Sequence, residues 1–336
     1  MNIPGTHDPM AARGDAAAAL CGPLRQVTIA TNDASRTAQF FTQAMCMRLA
    51  SDAAPSPAQA QAQRALWGLP PTAQWRELIF DHPGVGQGYR LRVIVMGGGA
   101  LIRPQMESRL AGGLSVGFAV SSLEQTHDRV TALGVGTTAG IVPLVMTRPD
   151  GSTYTSGEIH FRGPEDIYAL AVGRPPDLAP VGPIDPVTGI GGPAYSAMVV
   201  ADATREIEFY REVLGWEARR DVVLTTSGPA GGLGLDAGTQ FRFVQLFAPG
   251  ATTAYIVLLD MLGAGRANPV APRLPNRGLA LWTFPTRQLA EVERRLRANR
   301  SGASLFAGPQ HAVDSSGRVL TALTPAGLMI EVEEQP

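Results

Sequence analysis

Glu331 stands in GLMIEVEE, where strand alternation puts Met329, Glu331 and Glu333 on one face and Ile330 and Val332 on the other. A carboxylate aimed into an apolar cleft has its charged form desolvated, which raises its pKa and makes it a usable general base. His311 lies in a Gly/Pro-bounded loop, AGPQHAVDSSGR, where an imidazole that titrates near neutral pH can serve as acid or base. His160, in EIHFR, shares its parity with Glu158 and Arg162, and reads first as a satisfied histidine on a strand face. The alternative is that this face lines a cleft together with Tyr168. Tyr195, Tyr255, Trp282, Phe284 and Phe243 are candidates for the floor of a site for a flat small molecule, and Met329 shares the face of Glu331. Substrate contact is therefore expected at Tyr255, Trp282, Phe243 and Met329.

The composition removes other chemistries. All 28 basic residues are arginine, so a Schiff-base lysine, a pyridoxal-phosphate enzyme and a GxxxxGK[ST] phosphate loop are excluded. Cys21 and Cys46 make neither a disulfide framework nor a zinc knuckle, and the five histidines show no HxH or HExxH spacing. The Gly-rich stretches at 96–99 and 228–238 lack the strand–turn–helix setting of a dinucleotide fingerprint. A formal net charge of −1 leaves no footprint for nucleic acid or an anionic membrane, and no apolar run spans a bilayer. Residues 1–20 lack the basic start and apolar stretch of a secretory signal, so a cytoplasmic protein is expected.

These residues must be positioned by strands and helices, and the chain repeats itself in supplying them. QVTIATNDASRTAQFF (26–41) matches YSAMVVADATREIEFY (195–210) at a constant offset, each a short apolar strand, an Asp helix cap and an amphipathic helix. Residues 113–134 and 278–299 repeat strand, turn and helix again, and each is followed by a hairpin with Pro164 or Pro325 in its turn. The stretch from Arg174 to Pro193 carries six prolines and admits neither helix nor central strand. The expected organisation is a flexible tail at 1–22, a first domain at 23–174, a Pro/Gly-rich linker at 175–192 and a second domain at 193–336. The fold class is α+β, with four βαβββ modules paired two per domain. An insertion from Ser51 to Trp75, rich in Ala-Gln, marks the first domain as structural or lid-bearing and places the working cleft at 193–334.

The pattern resembles the vicinal oxygen chelate superfamily, which includes glyoxalase I, extradiol dioxygenases and bleomycin-resistance proteins. The likeness rests on the two opening repeats and on TPAGLMIEV, which is similar to the family's closing strand. The resemblance implies paired modules curling a sheet into a cleft, with a divalent metal held from first and last strands. Carried onto this chain, those ligand positions fall on Gln26, Tyr195, Ser115, Leu281 or Ala280, Leu170, Glu331, Ile94 and Val257. Only Glu331 is a strong donor, so no metal is expected, and the convergence of the ligand strands implies Glu331 beside Tyr195. The expected activity is lyase or isomerase chemistry on a small apolar or aromatic oxygenated compound, with catalytic Glu331, Tyr195 and His311. Two alternatives stand beside it. One is a non-catalytic, antibiotic-like binding protein; the other is an extradiol-type dioxygenase with a metal at Glu331 and His160 or His311. A homodimer is one assembly to expect; neither nucleic acid nor membrane is an expected partner.

Overall fold

Four successive stretches of the chain each fold as strand, helix and three further strands. The computed structural model describes residues 19–82, 84, 89–147, 152–228, 231–311 and 317–336. The first module comprises β1 (Gln26–Thr31), α1 (Ala34–Gln39), β2 (Arg48–Ala53), α2 (Pro57–Trp67), β3 (Arg76–Asp81) and β4 (Arg90–Val95). The second comprises β5 (Gly112–Val120), α3 (Leu123–Ala132), β6 (Val142–Thr147), β7 (Thr153–Arg162) and β8 (Tyr168–Gly173). The third comprises β9 (Ile190–Val200), α4 (Ala203–Phe209), β10 (Glu217–Thr225), β11 (Gln240–Phe247) and β12 (Tyr255–Asp260). The fourth comprises β13 (Gly278–Thr286), α5 (Leu289–Ala298), β14 (Ser304–His311), β15 (Arg318–Leu323) and β16 (Met329–Glu334). The repeated Asp caps act as the sequence requires: Asp33 accepts from the Arg36 amide, and Asp202 from those of Thr204 and Arg205.

The modules pair across the chain rather than along it. One eight-stranded sheet has the order β14-β15-β16-β13-β1-β4-β3-β2, and the other β10-β11-β12-β9-β5-β8-β7-β6. In each, two modules join antiparallel through their first strands, β1 with β13 and β5 with β9. The first sheet thus takes modules one and four, and the second takes two and three. The expectation that each half of the chain folds its own sheet is corrected here. The Pro-rich segment after Arg174 joins β8 to β9 within one sheet, and packs along it with Val181 and Asp185 buried. The expectation that no central strand enters this stretch is corrected too: β9 starts at Ile190 and carries Pro193 opposite Phe118, where the register with β5 shifts and a missing amide is tolerated. Proline content carries no information on which strands pair across a segment. The connections between sheets are 96–111 and 261–277, bridged side by side at Leu101–Arg277 and Leu110–Arg266. Buried Arg103 holds this crossing, donating to the carbonyls of Glu107, Leu110, Gly112 and Gly113.

The largest core lies between the convex faces of the sheets, filled by α1, α3, α4 and α5 and by residues such as Phe41, Phe118, Tyr210, Trp216 and Phe284. β5 and β9 are buried at every position while β2 is exposed at every position, which is why the central strands read as continuous apolar runs. Residues 1–18 of the expected tail lie outside the described residues. Leu20–Gly22, by contrast, are tied down: the Cys21 amide donates to Leu214 and Thr286 donates to the Leu20 carbonyl. Among the described residues no helix is long and apolar enough to cross a membrane.

Candidate functional site in the hollow of the second sheet

Each sheet is curled, and the two hollows differ. That of the first sheet is filled by the chain itself. The insertion folds as α2, started by a Ser56–Gln59 capping box with Pro57 at its first turn, and ended by left-handed Gly68. It lays Ala60, Leu66 and Trp67 onto Ala30, Ile94, Leu281 and Met329 of the sheet. Thr321 on β15 clasps its end by donating to the Leu66 carbonyl at 2.6 Å.

Glu331 lies beneath this helix, 3% exposed. Its carboxylate accepts from Trp67 Nε1 at 2.6 Å, Arg92 at 2.8 Å and Thr283 at 2.7 Å. The Arg92 guanidinium stands 5.1 Å from the centre of the Trp67 ring and also donates to Thr28. A carboxylate paired with a buried cation and accepting two further hydrogen bonds is a structural tie, with no access for a substrate. Met329 is fully buried in the same filled hollow. The expected pairing of Glu331 with Tyr195 does not occur. They belong to different sheets, because β16 joins module one while β9 joins module two.

The hollow of the second sheet is open, with a cavity of about 140 Å³. Tyr195 and Tyr255 line it as near-parallel rings with centroids 5.0 Å apart at 19°, and Phe247, outside the lining, stacks on Tyr255 at 4.4 Å and 18°. Tyr195 lies flat over its register partner Gly117, where any Cβ would overlap the phenol ring. Burial, with Glu158 nearby, holds the Tyr195 phenol well above the usual tyrosine range, so it stays a donor. The walls are apolar, built from residues such as Leu144, Leu170, Val222, Phe243 and Val257.

Glu158 is the single carboxylate among the described lining residues. Its Oε2 lies 3.2 Å from His160 Nε2, and the imidazole is 3% exposed, edge-on to Tyr168 at 5.9 Å. The other ring nitrogen, Nδ1, is buried against Gly232 with no hydrogen-bond partner among the described residues. Nε2 is placed to donate to Glu158, so the imidazole fixes the carboxylate while itself forming part of the cavity lining. Ser115 Oγ and Gln245 Oε1, both in the lining, are also buried and unpaired.

Three of the expected site residues, Tyr195, Tyr255 and Phe243, meet in this cavity. The others do not. Trp282 is fully buried between the sheets, donating to Ser196 at 2.9 Å. His311 ends β14, an exposed edge strand of the other sheet. Polar cavity residues given no role from sequence include Arg220, Gln245, Tyr154 and Ser156. The shared parity of Glu158 and His160 was the available signal; both line the cavity, whereas Arg162 and Tyr168, grouped with them from sequence, do not.

The donor sets do not fit a divalent metal. In the second sheet the register positions of the resemblance hold Ser115, Leu170, Tyr195 and Val257, and three good ligands never converge there. In the first, Glu331 is already engaged by an arginine. Among the described residues no three of His, Cys, Asp and Glu cluster.

Residues 192–332 match the model of the Glyoxalase/Bleomycin resistance protein/Dioxygenase superfamily. Glyoxalase I from Zea mays superimposes with a TM-score of 0.66 at 12% identity, covering 95% of this chain and 94% of that one. A Bacillus subtilis protein, provisionally called a dioxygenase, gives a TM-score of 0.60 at 12% identity over 94% of this chain and 86% of its own. No curated protein sequence matches. Residues 192–332 carry the superfamily's sequence pattern, and the whole chain shares the fold of these structures, with four modules in two sheets.

Proposed function

We propose that this chain binds a small, flat, largely apolar oxygenated compound in the hollow of the second sheet and moves a proton on it without a metal ion. The observation that carries this reading is Glu158, a lone carboxylate in an apolar cavity, gripped by a buried histidine. Glu158 is the general base in this reading, replacing Glu331. Its free oxygen takes a proton from a carbon or hydroxyl next to a carbonyl. Tyr195, kept protonated by its burial, donates to the oxyanion that develops. His160 is a positioning residue, because it acts through Glu158. Such a step is the first half of an isomerisation or an elimination.

Apolar ketones and aldehydes with an acidic C–H, incubated in D₂O, test this directly. Wild type is expected to exchange that proton for deuterium, and Glu158→Gln to slow the exchange about 10²- to 10⁴-fold while binding persists. Equal exchange in the two proteins would remove Glu158 from the mechanism. A second reading, a protein that holds its ligand unchanged, is favoured by how few polar groups line the cavity. Compounds that bind and are recovered without deuterium or other change would select it.

A further inference from the structure

The two edge strands of the second sheet, β10 and β6, face each other across the mouth of its hollow. Arg220 on β10 reaches over to Met146 on β6, with its Nη1 3.9 Å from the sulfur. A thioether is a weak acceptor, and this is the only hydrogen-bond partner of the Arg220 guanidinium among the described residues. Other nearby arginines are engaged. Arg219 pairs with Glu217 at 2.6 Å, donates to the Ala251 carbonyl and covers Phe247. Arg242 pairs with Asp221, and Arg174, which also lines the cavity, donates to the Ala179 carbonyl and the Tyr154 phenol. A half-buried guanidinium with no carboxylate partner among the described residues, at the mouth of an apolar hollow, leaves a fork of donors open to an anion.

We infer that the ligand is a flat apolar carboxylic acid, its carboxylate forked on Arg220 at the mouth and its body lying over Tyr195 and Tyr255. A carboxylate fits better than a phosphate because one planar, singly charged group matches one guanidinium. A phosphate brings more charge than the cavity's few donors balance. Glu158, in the same lining, repels an acid placed beside it, so the acidic end is held at Arg220 and away from the carboxylate. The inference rests on the cavity reading above, but the two can fail separately.

Titration calorimetry on the full chain with trans-cinnamate and its neutral amide, trans-cinnamamide, separates them. Wild type is expected to bind the acid at least about tenfold more tightly than the amide. Arg220→Gln should abolish that preference without weakening the amide, and Arg220→Lys, which cannot fork, should restore part of it. Equal affinities in wild type, or a preference that survives Arg220→Gln, would overturn the anchor while leaving the cavity as the binding site. If neither compound binds, the cavity reading falls and the anchor with it.

Discussion

The same connection, between the second and third strands of a module, separates the two hollows of this molecule. In module one it is α2, which carries Trp67 into the first sheet and seals Glu331 and Arg92 beneath it. In module three it is a glycine-rich turn, whose Gly232 lies against His160 and leaves the aromatic floor open. The scaffold is common; what fills the curl decides whether it is core or site. The comparison also shows that retaining an acid does not mark the working side. Glu331, at the position the resemblance points to, is locked by Arg92 and Trp67, while Glu158 faces the cavity.

Trp67→Ala should break this contrast most strongly, costing roughly 5 kcal/mol through the emptied hollow and the hydrogen bond lost from Glu331. Urea unfolding measures it, and a cost under about 1 kcal/mol would mean that α2 does not fill the first sheet. Glu331→Leu should cost about 3–5 kcal/mol because Arg92 is left buried and unpaired. Adding Arg92→Met should recover most of that loss, and both proteins should bind ligand as wild type does. A stable Glu331→Leu protein that no longer turns over would reverse the roles of the hollows.

A joint between the sheets gives the next effect. Glu206 on α4, over the second sheet, accepts from Thr324 and the Ala326 amide in the β15–β16 turn of the first. Burial pushes its carboxyl up to about 7 from 4.5, with its Oε2 unpaired. A folded pKa above the unfolded one means that the folded state holds the proton more tightly. The stabilisation is therefore complete below about pH 4.5 and lost as pH rises through about 7. The loss amounts to about 3 kcal/mol and should vanish from the pH profile of Glu206→Gln. Filling substitutions give the smallest stability effect and sharpen the contrast. Val257→Phe in the open hollow should change stability by under about 1 kcal/mol yet abolish ligand binding, whereas Ala280→Phe in the filled one should cost about 1–3 kcal/mol. Similar costs at both positions would mean that the hollows are equally packed.

The repeated strands, the Asp33 and Asp202 caps and the parity of Glu158 with His160 were legible in the sequence, because each follows from neighbours a few residues apart. The aromatic floor was half legible. Tyr195, Tyr255 and Phe243 line the cavity, but Trp282, equally aromatic, faces the other way into the core. Glu331 was misread because its partners are far away in the chain. Arg92 and Trp67 are 239 and 264 positions distant, and nothing near GLMIEVEE announces them. The open fork of Arg220 was invisible for a related reason, since an unpaired group is defined by everything that fails to reach it.

Sequence by itself determined the four modules, since alternation, caps and turn residues act on the local backbone. Tertiary structure alone decided that module one joins four and two joins three, because strand edges hydrogen-bond to whichever edge the packing of the convex faces presents. It also decided which curl stayed empty. A side chain's access to a ligand depends on the atoms that cover it, and those come from anywhere along the chain.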